Sequence, residues 1–485
     1  MGQISIKHQA ASGMVWTAVE RFGSQIVQFI IGIVLARLLL PDDYGLIGML
    51  AIFMAISQTF LDCGFANALI QKKDRDEIDY STVFYFNLAV ALILYGILFF
   101  FFFFFSPIIA DFYNQPILTE ITRVYSLTLI VNALSIVQTA RLSIDLDFKL
   151  QAKASIISIL ISGTIGIVLA YNGFGVWALV SQGLLSASIR TMILWICGNW
   201  MPLAVFSKTS FRSLFSFGSK LLCSSLINTI YQNLSTIIIG KAFQTAELGY
   251  FTRANQFARL PSDSATAIII KVAYPILSRL QDNDQNLVNA YTQLLRPPVF
   301  LLYPVLFLLI VLAHPLIECF IGTKWLPCVP LLQILSLGQL WAPLTNINLN
   351  LLYVKGRSDL VLKLEFIKKP IAFVLLLGAA FCNVYAVCVA LAVYDFIAFA
   401  FNCHYTDKFF NFGFRSQFRQ ILPIIGYSLA MSVLVSSVYF ITESPYLQLI
   451  AGTIIGIVSY IAMSILFHDR SFQELKIQLL NLIGK

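Results

Sequence analysis

Apolar residues in this chain form runs of about twenty, separated by short polar turns. Each run is long enough to cross ~30 Å of hydrocarbon as an α-helix. We predict about fourteen spans, and the turns between them are too short for a folded soluble domain. The predicted spans lie near 12–38, 43–63, 81–105, 118–140, 154–171, 175–197, 215–240, 248–275, 297–318, 328–352, 360–381, 385–403, 420–441 and 446–467.

Composition agrees with an all-α polytopic membrane protein. Of the 485 residues, 58% are hydrophobic and 12% are charged, about half of the ~25% charged residues usual in soluble proteins. The eight Cys form no C-x-x-C pair and the four His show no ligand spacing, so we predict neither a metal site nor a cofactor. The net charge is +8, but no basic cluster or nucleic-acid motif accompanies it, so we predict no nucleic-acid partner.

The distribution of Lys and Arg between the turns predicts the topology. With the N-terminus in the cytoplasm, most basic residues of the turns and tails fall on the cytoplasmic side. The opposite side carries little beyond Arg37, Lys241 and Lys324. This bias follows the positive-inside rule. We therefore expect a membrane protein with both termini in the cytoplasm.

A short internal repeat suggests two lobes. A basic residue, an acidic residue and a Gly recur 204 residues apart, and at the same offset Ser24 matches Asn228 and Gln28 matches Gln232; the two sets are Arg37, Asp43, Gly45 and Lys241, Glu247, Gly249. The repeat predicts two pseudo-symmetric lobes around a central cavity. The expected domains are a six-helix lobe 1–197, an interfacial linker 198–214, a six-helix lobe 215–403, two additional helices 404–467 and an amphipathic tail 468–485.

Several predicted spans contain polar and charged residues, which lipid cannot satisfy. They should therefore face protein or water, and the surplus of cations among them favours an anionic ligand, phosphate especially, through the bidentate fork of Arg. The candidates for phosphate are Arg21, Arg123, Arg253 and Arg259. The candidates for lining the cavity are Ser24, Gln25, Gln28, Lys220, Asn228, Tyr231, Gln256, Asn346 and Asn350.

Structural explanations compete with ligand binding at several of these positions. Arg259 and Asp263, like Glu365 and Lys369, are i,i+4 partners that could neutralise each other. Lys220, Lys271 and Arg296 lie near span ends and could extend to the membrane surface. The Asn and Gln residues of the tenth span could simply join helices.

Six segments resemble a known family. They are V-L-A-R-L-L-L-P-D-D-Y-G-L-I (34–47), D-C-G-F-A-N-A-L-I-Q-K-K-D (62–74), D-L-D-F-K (145–149), F-G-S-K-L-L-C-S-S-L-I-N-T-I-Y-Q-N-L-S-T (217–236), A-Y-P-I-L-S-R-L-Q-D (273–282) and F-I-G-T-K-W-L-P-C-V-P-L-L-Q-I-L (320–335). With the span count, they resemble the Wzx-type polysaccharide flippases of the multidrug/oligosaccharidyl-lipid/polysaccharide exporter superfamily, in the branch that includes the colanic acid exporter.

The resemblance implies a transporter and not an enzyme. Its substrate would be an undecaprenyl-pyrophosphate-linked oligosaccharide moved to the periplasmic leaflet by alternating access, and a polymerase or chain-length regulator would be a partner besides the lipid bilayer. A proton or ion on Glu20 or Asp395 could couple transport. Two other functions stay open: a multidrug or cation antiporter of the same superfamily, and a membrane polysaccharide polymerase.

Overall fold

The computed structural model describes residues 2–62, 65–72, 74–99, 106–198, 200–280 and 283–474. In these residues the chain forms helices and one 3₁₀ turn, Thr323–Trp325, and no strand. The helices are α1 Gly2–Leu38, α2 Pro41–Asp62, α3 Phe65–Gln71, α4 Glu77–Phe99, α5 Ser106–Tyr113, α6 Leu118–Tyr125, α7 Leu127–Ile144, α8 Phe148–Tyr171, α9 Val176–Cys197, α10 Lys208–Gln232, α11 Leu234–Ala242, α12 Thr245–Arg279, α13 Asp284–Val311, α14 Ala313–Ile321, α15 Cys328–Gln339, α16 Ala342–Val354, α17 Ser358–Ala380, α18 Val384–Phe410, α19 Phe414–Ser436, α20 Val438–Ile441 and α21 Pro445–Leu466.

The all-α polytopic membrane fold is confirmed. Within the described residues, 11 helical segments are long and apolar enough to cross a membrane, and each matches one predicted span. The other three predicted spans correspond to α10 with α11, to α12 and to α17. These helices carry much of the polar and charged sequence, for example the Glu365, Lys368 and Lys369 group. The count of fourteen spans remains a prediction.

The chain divides into two compact units, Met1–Gly249 and Tyr250–Lys485. We call them unit 1 and unit 2. The division falls in the second turn of α12, so α10 and α11 belong to unit 1. It follows the packing of the helices, and the domain boundaries expected from the sequence remain a prediction.

Small residues allow close helix packing in unit 1. The Cβ of any larger residue at Gly163 of α8 would overlap the side chain of Ile31 in α1. Gly183 of α9 lies so close to the ring of Tyr125 that a Cβ at this position would come within 2.6 Å of the ring. Close approach of this kind is the usual basis of helix association in membranes, where apolar lipid removes the hydrophobic driving force.

The repeat recognised in the sequence has a structural basis at the starts of α2 and α12. The Asp43 carboxylate accepts a hydrogen bond from the Leu40 amide at 2.9 Å, and the Glu247 carboxylate accepts one from the Gln244 amide at 3.0 Å. Each acid is the third residue of its helix and reaches back to the residue before the helix, which is half of a capping box. The acidic positions 204 residues apart therefore begin their helices in the same way.

The two glycines of the repeat make reciprocal contacts. A Cβ on Gly45 would overlap the backbone carbonyl of Thr245, and a Cβ on Gly249 would overlap that of Pro41. Pro41 and Thr245 are themselves 204 residues apart. Gly45 therefore contacts the repeat partner of Pro41, and Gly249 contacts the repeat partner of Thr245. Only glycine at these two positions lets the first turns of α2 and α12 meet with their backbones in contact.

Unit 2 is built on a large apolar cluster formed by α13, α16, α18, α19 and α21, with Tyr303, Leu344 and Phe399 among its fully buried members. An ion pair connects α13 to the segment that follows α21. Arg296, which lies near the middle of α13 and not near a span end as expected, donates to the Asp469 carboxylate at 2.8 Å, and the Asp469 side chain is 1% exposed. This pair ties the start of the C-terminal tail to the core of unit 2.

The structure describes most of the linker and the start of the tail, whose expected boundaries remain a prediction. Residues 201–207 have no helix, and α10 then runs without interruption from Lys208, capped by the Ser207 side chain. Phe211 belongs to α10, and its ring packs against those of Phe65 and Phe86. In the tail, the Asp469 carboxylate accepts hydrogen bonds from the amides of Ser471 and Phe472. Residues 475–485 lie outside the described residues.

Candidate functional site

The polar face of α1 divides between protein contact and exposure. Glu20 accepts a hydrogen bond from the Ser155 hydroxyl of α8 at 2.7 Å. Its neighbour Arg21 is exposed, as is Gln28, whereas Ser24 and Gln25 are half-buried. Arg21 and Gln28 both lie within the Val19–Leu38 span. A charged side chain at such a position needs water or a polar ligand, because lipid would leave it unsatisfied.

Arg123 lies where the fourth span is broken. The span Leu118–Ile144 consists of α6 and α7, which meet at Ser126. The Ser126 hydroxyl donates to the Arg123 carbonyl at 3.1 Å and the Thr128 hydroxyl to the Tyr125 carbonyl at 2.7 Å. Hydroxyls that bond to the preceding turn bend helices. The break therefore follows from local sequence, and it places the half-buried Arg123 one turn from the bend.

Arg190, on α9, is a second half-buried arginine of unit 1. Its Nε is buried and makes no hydrogen bond to any residue that the structure describes. Half-buried arginines in the membrane-spanning helices of unit 1 therefore come from two different elements, α6 and α9.

On α12 the predicted cations are arranged in two local pairs. Arg253 donates to the Gln256 side-chain oxygen at 2.6 Å, so a cation predicted to bind phosphate contacts an amide predicted to line the cavity. Arg259 lies 3.6 Å from the Asp263 carboxylate. Both members of that pair are more than two-fifths exposed, so the pair itself contributes little stability.

Asp395 of α18 lies in the same region of unit 2 as Arg259. Arg259 is near enough to act on the Asp395 carboxylate through its charge. Gly338 of α15 makes room for this carboxylate, since a Cβ there would lie 3.0 Å from the Asp395 Oδ2. Arg259 is therefore paired with Asp263 and lies near a second carboxyl group, that of Asp395.

A lysine of α17 is buried with its partners. The Lys368 side chain is 3% exposed and its Nζ lies 2.7 Å from the Glu365 carboxylate. It also donates to the Asn402 side-chain oxygen at 3.2 Å, and Asn402 in turn donates to the Thr345 carbonyl. Lys369 lies 3.6 Å from the same carboxylate. Two cations share one acid, and Lys368 is held inside the protein.

The tenth-span amides have several different environments. Asn346 donates to the Ala342 carbonyl of its own helix at 2.8 Å. Asn350 is 7% exposed, and its amide nitrogen makes no hydrogen bond to the described residues. Asn348 was not among the candidates from the sequence. Its side chain accepts a hydrogen bond from the Tyr291 hydroxyl and makes two hydrogen bonds with the Gln417 amide. A fully paired buried network of this kind stabilises the packing of α13, α16 and α19.

The seventh-span candidates are partly accessible. Asn228 is exposed and Tyr231 is half-buried. Between them, Thr229 lies 3.0 Å from the Thr59 hydroxyl of α2. The side chain of Lys220 lies outside the described residues.

One polar group in unit 1 was missed in the sequence. Asn132 of α7 donates to Gln58 of α2, and Gln58 donates to Asp62, each at 3.0 Å. Gln58 and Asp62 are an i,i+4 pair near the end of the second span, and this spacing was the available signal. Among the described residues no group of three His, Cys, Asp or Glu could hold a metal ion.

The fold and these groups define a multi-pass helical membrane protein with cations inside its spans. A family model described as polysaccharide biosynthesis protein matches residues 34–330, more than half of the chain. The chain belongs to this family of polysaccharide biosynthesis proteins, and the family assignment made from the six segments is confirmed.

Relatives and one solved structure agree with this assignment. Teichuronic acid biosynthesis protein TuaB of Bacillus subtilis is 27% identical over 73% of both chains. Lipopolysaccharide biosynthesis protein WzxC of Escherichia coli is 25% identical over 75% of this chain and 74% of its own. Succinoglycan biosynthesis transport protein ExoT of Rhizobium meliloti is 24% identical over 94% and 92%. The lipid II flippase MurJ, in an inward closed conformation, superimposes with a TM-score of 0.76 and 16% identity over 94% of this chain and 99% of its own, which shows a shared fold.

Proposed function

We propose that this protein moves an oligosaccharide linked to undecaprenyl pyrophosphate from the cytoplasmic to the periplasmic leaflet of the bacterial inner membrane, as a transporter and not an enzyme. Membership of a polysaccharide biosynthesis family supports the substrate class. The names of ExoT, a transport protein, and MurJ, a flippase on the same fold, support transport.

The observation that carries the proposal is the exposure of Arg21 inside the Val19–Leu38 span. An arginine in contact with lipid at the centre of a span would cost roughly 2.5–3.5 kcal/mol or more, and the cost falls toward the span ends. A water-filled path for a polar substrate removes that cost. The guanidinium also provides a binding group for pyrophosphate, which it can contact through two parallel hydrogen bonds.

In this proposal Arg21, Arg123 and Arg253 bind the pyrophosphate. Arg259, which pairs with Asp263, joins them. The sugars contact neutral polar residues and the polyprenyl tail stays in lipid while access alternates between the two sides.

Glu20 and Asp395 are the proposed coupling residues. Both termini are cytoplasmic in this proposal, and a polymerase and a chain-length regulator act on the lipid-linked oligosaccharide after transport. The proposed sugar contacts are Ser24, Gln25, Gln28, Asn228, Tyr231, Gln256, Asn346 and Asn350, with Lys220 as a further cation.

Export by arginine variants tests the proposal. Arg21→Ala and Arg253→Ala, each expressed in a deletion strain, should lower polysaccharide export at least tenfold, because each removes a charge-assisted contact worth about 1.5–3 kcal/mol. Mass spectrometry of extracted lipids, with leaflet-resolved labelling, should find complete repeat units at the cytoplasmic face. Arg470→Ala is the matched control, since Arg470 is exposed beyond the last span and pairs only locally with Glu474.

Wild-type export from well-expressed Arg21→Ala and Arg253→Ala proteins would refute these binding residues. Repeat units that reach the periplasmic face in the deletion strain but stay unpolymerised would instead identify a polymerase.

A further inference from the structure

Unit 1 contains a row of three hydrogen-bonded polar side chains, Asp62, Gln58 and Asn132, which we call the polar row. Asn132 Nδ2 donates to Gln58 Oε1 and Gln58 Nε2 donates to Asp62 Oδ1, each at 3.0 Å. One residue along from Gln58, the Thr59 hydroxyl lies 3.0 Å from that of Thr229. The row therefore joins α2 to α7, and α10 lies beside it.

The polar row lies within membrane-spanning segments and is accessible. Asn132 lies close to the midpoint of the span Leu118–Ile144, and Gln58 and Asp62 form the last turns of the span Pro41–Asp62. Asp62 is exposed, and Gln58 and Asn132 are half-buried. The accessible Asn132 amide at this depth must meet water or a polar ligand, because lipid offers it no hydrogen bonds, and Asp62 extends the row to the end of its span.

The carboxylate determines the orientation of the whole row. An ionised carboxylate only accepts hydrogen bonds, so Gln58 must present its NH₂ group to Asp62 and its oxygen to Asn132. Asn132 then uses its NH₂ group on Gln58. Among the residues that the structure describes, neither the Asn132 Oδ1 nor the second Asp62 oxygen accepts a hydrogen bond. The row thus presents oriented acceptors at both ends.

This arrangement discriminates between ligand classes. Pyrophosphate is disfavoured, because the Asp62 carboxylate repels it. A metal cation is disfavoured too, because the Gln58 oxygen is already occupied by Asn132 and the carboxylate faces an N–H donor instead of other oxygens. Hydroxyl groups fit well, since each can donate to an acceptor of the row and accept from a remaining amide N–H.

We propose that the polar row, Asp62, Gln58 and Asn132, is a sugar-binding subsite for the glycan of the transported lipid. The proposal rests on the proposed function and adds to it the residues in unit 1 that distinguish a glycan-bearing lipid from the bare carrier. Sugar hydroxyls bond to Asn132 Oδ1 and to the Asp62 carboxylate, and the Thr59 and Thr229 pair extends the polar surface along α10.

Binding measurements with two lipid probes test the subsite. The full-length protein is purified into nanodiscs, and its affinity is measured for undecaprenyl pyrophosphate and for the lipid-linked oligosaccharide extracted from the deletion strain. The double variant Gln58→Ala/Asn132→Ala should bind the glycan-bearing lipid about tenfold more weakly and undecaprenyl pyrophosphate with unchanged affinity. Asn172→Ala is the matched control, because Asn172 is an exposed amide bonded only to its own helix at Val168.

Asp62→Asn supplies a second, milder variant if the double variant fails to fold. Its side chain keeps the same shape but loses its charge and can donate to Gln58, so it should weaken binding of the glycan-bearing lipid alone. Equal affinity of the variants and the wild type for both probes would overturn the subsite. So would an equal loss for both probes, or a wild type that binds the two probes equally. A wild type that binds neither probe would instead overturn the proposed function.

Discussion

At the scale of single residues, burial separates structural charges from accessible ones. Asp469 and Lys368 are buried and each has a close partner of opposite charge. Arg21 is exposed within a span. A buried pair is costly to break, because one charge is then left without compensation. Residues of the first kind should therefore affect folding, and Arg21 should affect transport.

The Arg296 and Asp469 pair gives a test of this distinction. Arg296→Ala should lower the free energy of unfolding by about 3–5 kcal/mol, because the nearly inaccessible Asp469 carboxylate loses its partner. Thermal unfolding in detergent would measure the loss. The double variant Arg296→Ala/Asp469→Ala should recover part of it, whereas Arg470→Ala, which breaks an exposed pair, should change the midpoint little. A single variant as stable as the wild type would contradict the structural role.

At the scale of helices, α2 and α12 begin with the same capping arrangement. An acid in the third position caps each helix, and a glycine two residues later meets the opposite backbone. The spacing was visible as a basic residue, an acid and a Gly. Its meaning was not, because a single sequence does not say that the two turns touch each other.

Glycine replacement tests the reciprocal contact. Gly45→Ala and Gly249→Ala should each destabilise the protein by about 1–3 kcal/mol, because the new methyl group overlaps a backbone carbonyl that cannot move aside as a side chain can. Gly96→Ala is the control, since a Cβ there meets no atom within 4 Å. Its unfolding midpoint should stay the same or rise, as alanine favours a helix. Unchanged stability of both Gly45→Ala and Gly249→Ala would exclude the contact.

At the scale of the whole molecule, membrane topology follows from length, hydropathy and charge. In the part of the chain that the structure describes, eleven helical segments are long and apolar enough to span the membrane, and the helices outside that set include the most polar ones. If α17 also spans, the turn before it and the turn after it lie on opposite sides of the membrane. The predicted cytoplasmic location of both termini depends on this count.

Topology reporters on both sides of α17 test the count. A green fluorescent protein fused after Lys355 should fluoresce and alkaline phosphatase fused there should be inactive. The opposite pattern is expected for fusions after Asn383, in the turn between α17 and α18. The N-terminus and the C-terminus should both behave like Lys355. The same reporter pattern at Lys355 and Asn383 would remove α17 from the spans and place the two termini on opposite sides.

The sequence alone determined the features that depend on local chain properties. Span length sets which segments cross hydrocarbon, and the acid at the third helical position caps its own helix, so both could be predicted. Tertiary packing decided the rest, because one helical stripe can face protein, lipid or water. Glu20 bonds to Ser155, and Arg296 pairs with Asp469 across 173 residues. Asn348, and not the neighbouring Asn residues, belongs to the buried network. These choices depend on which helix packs alongside, and no single segment contains that information.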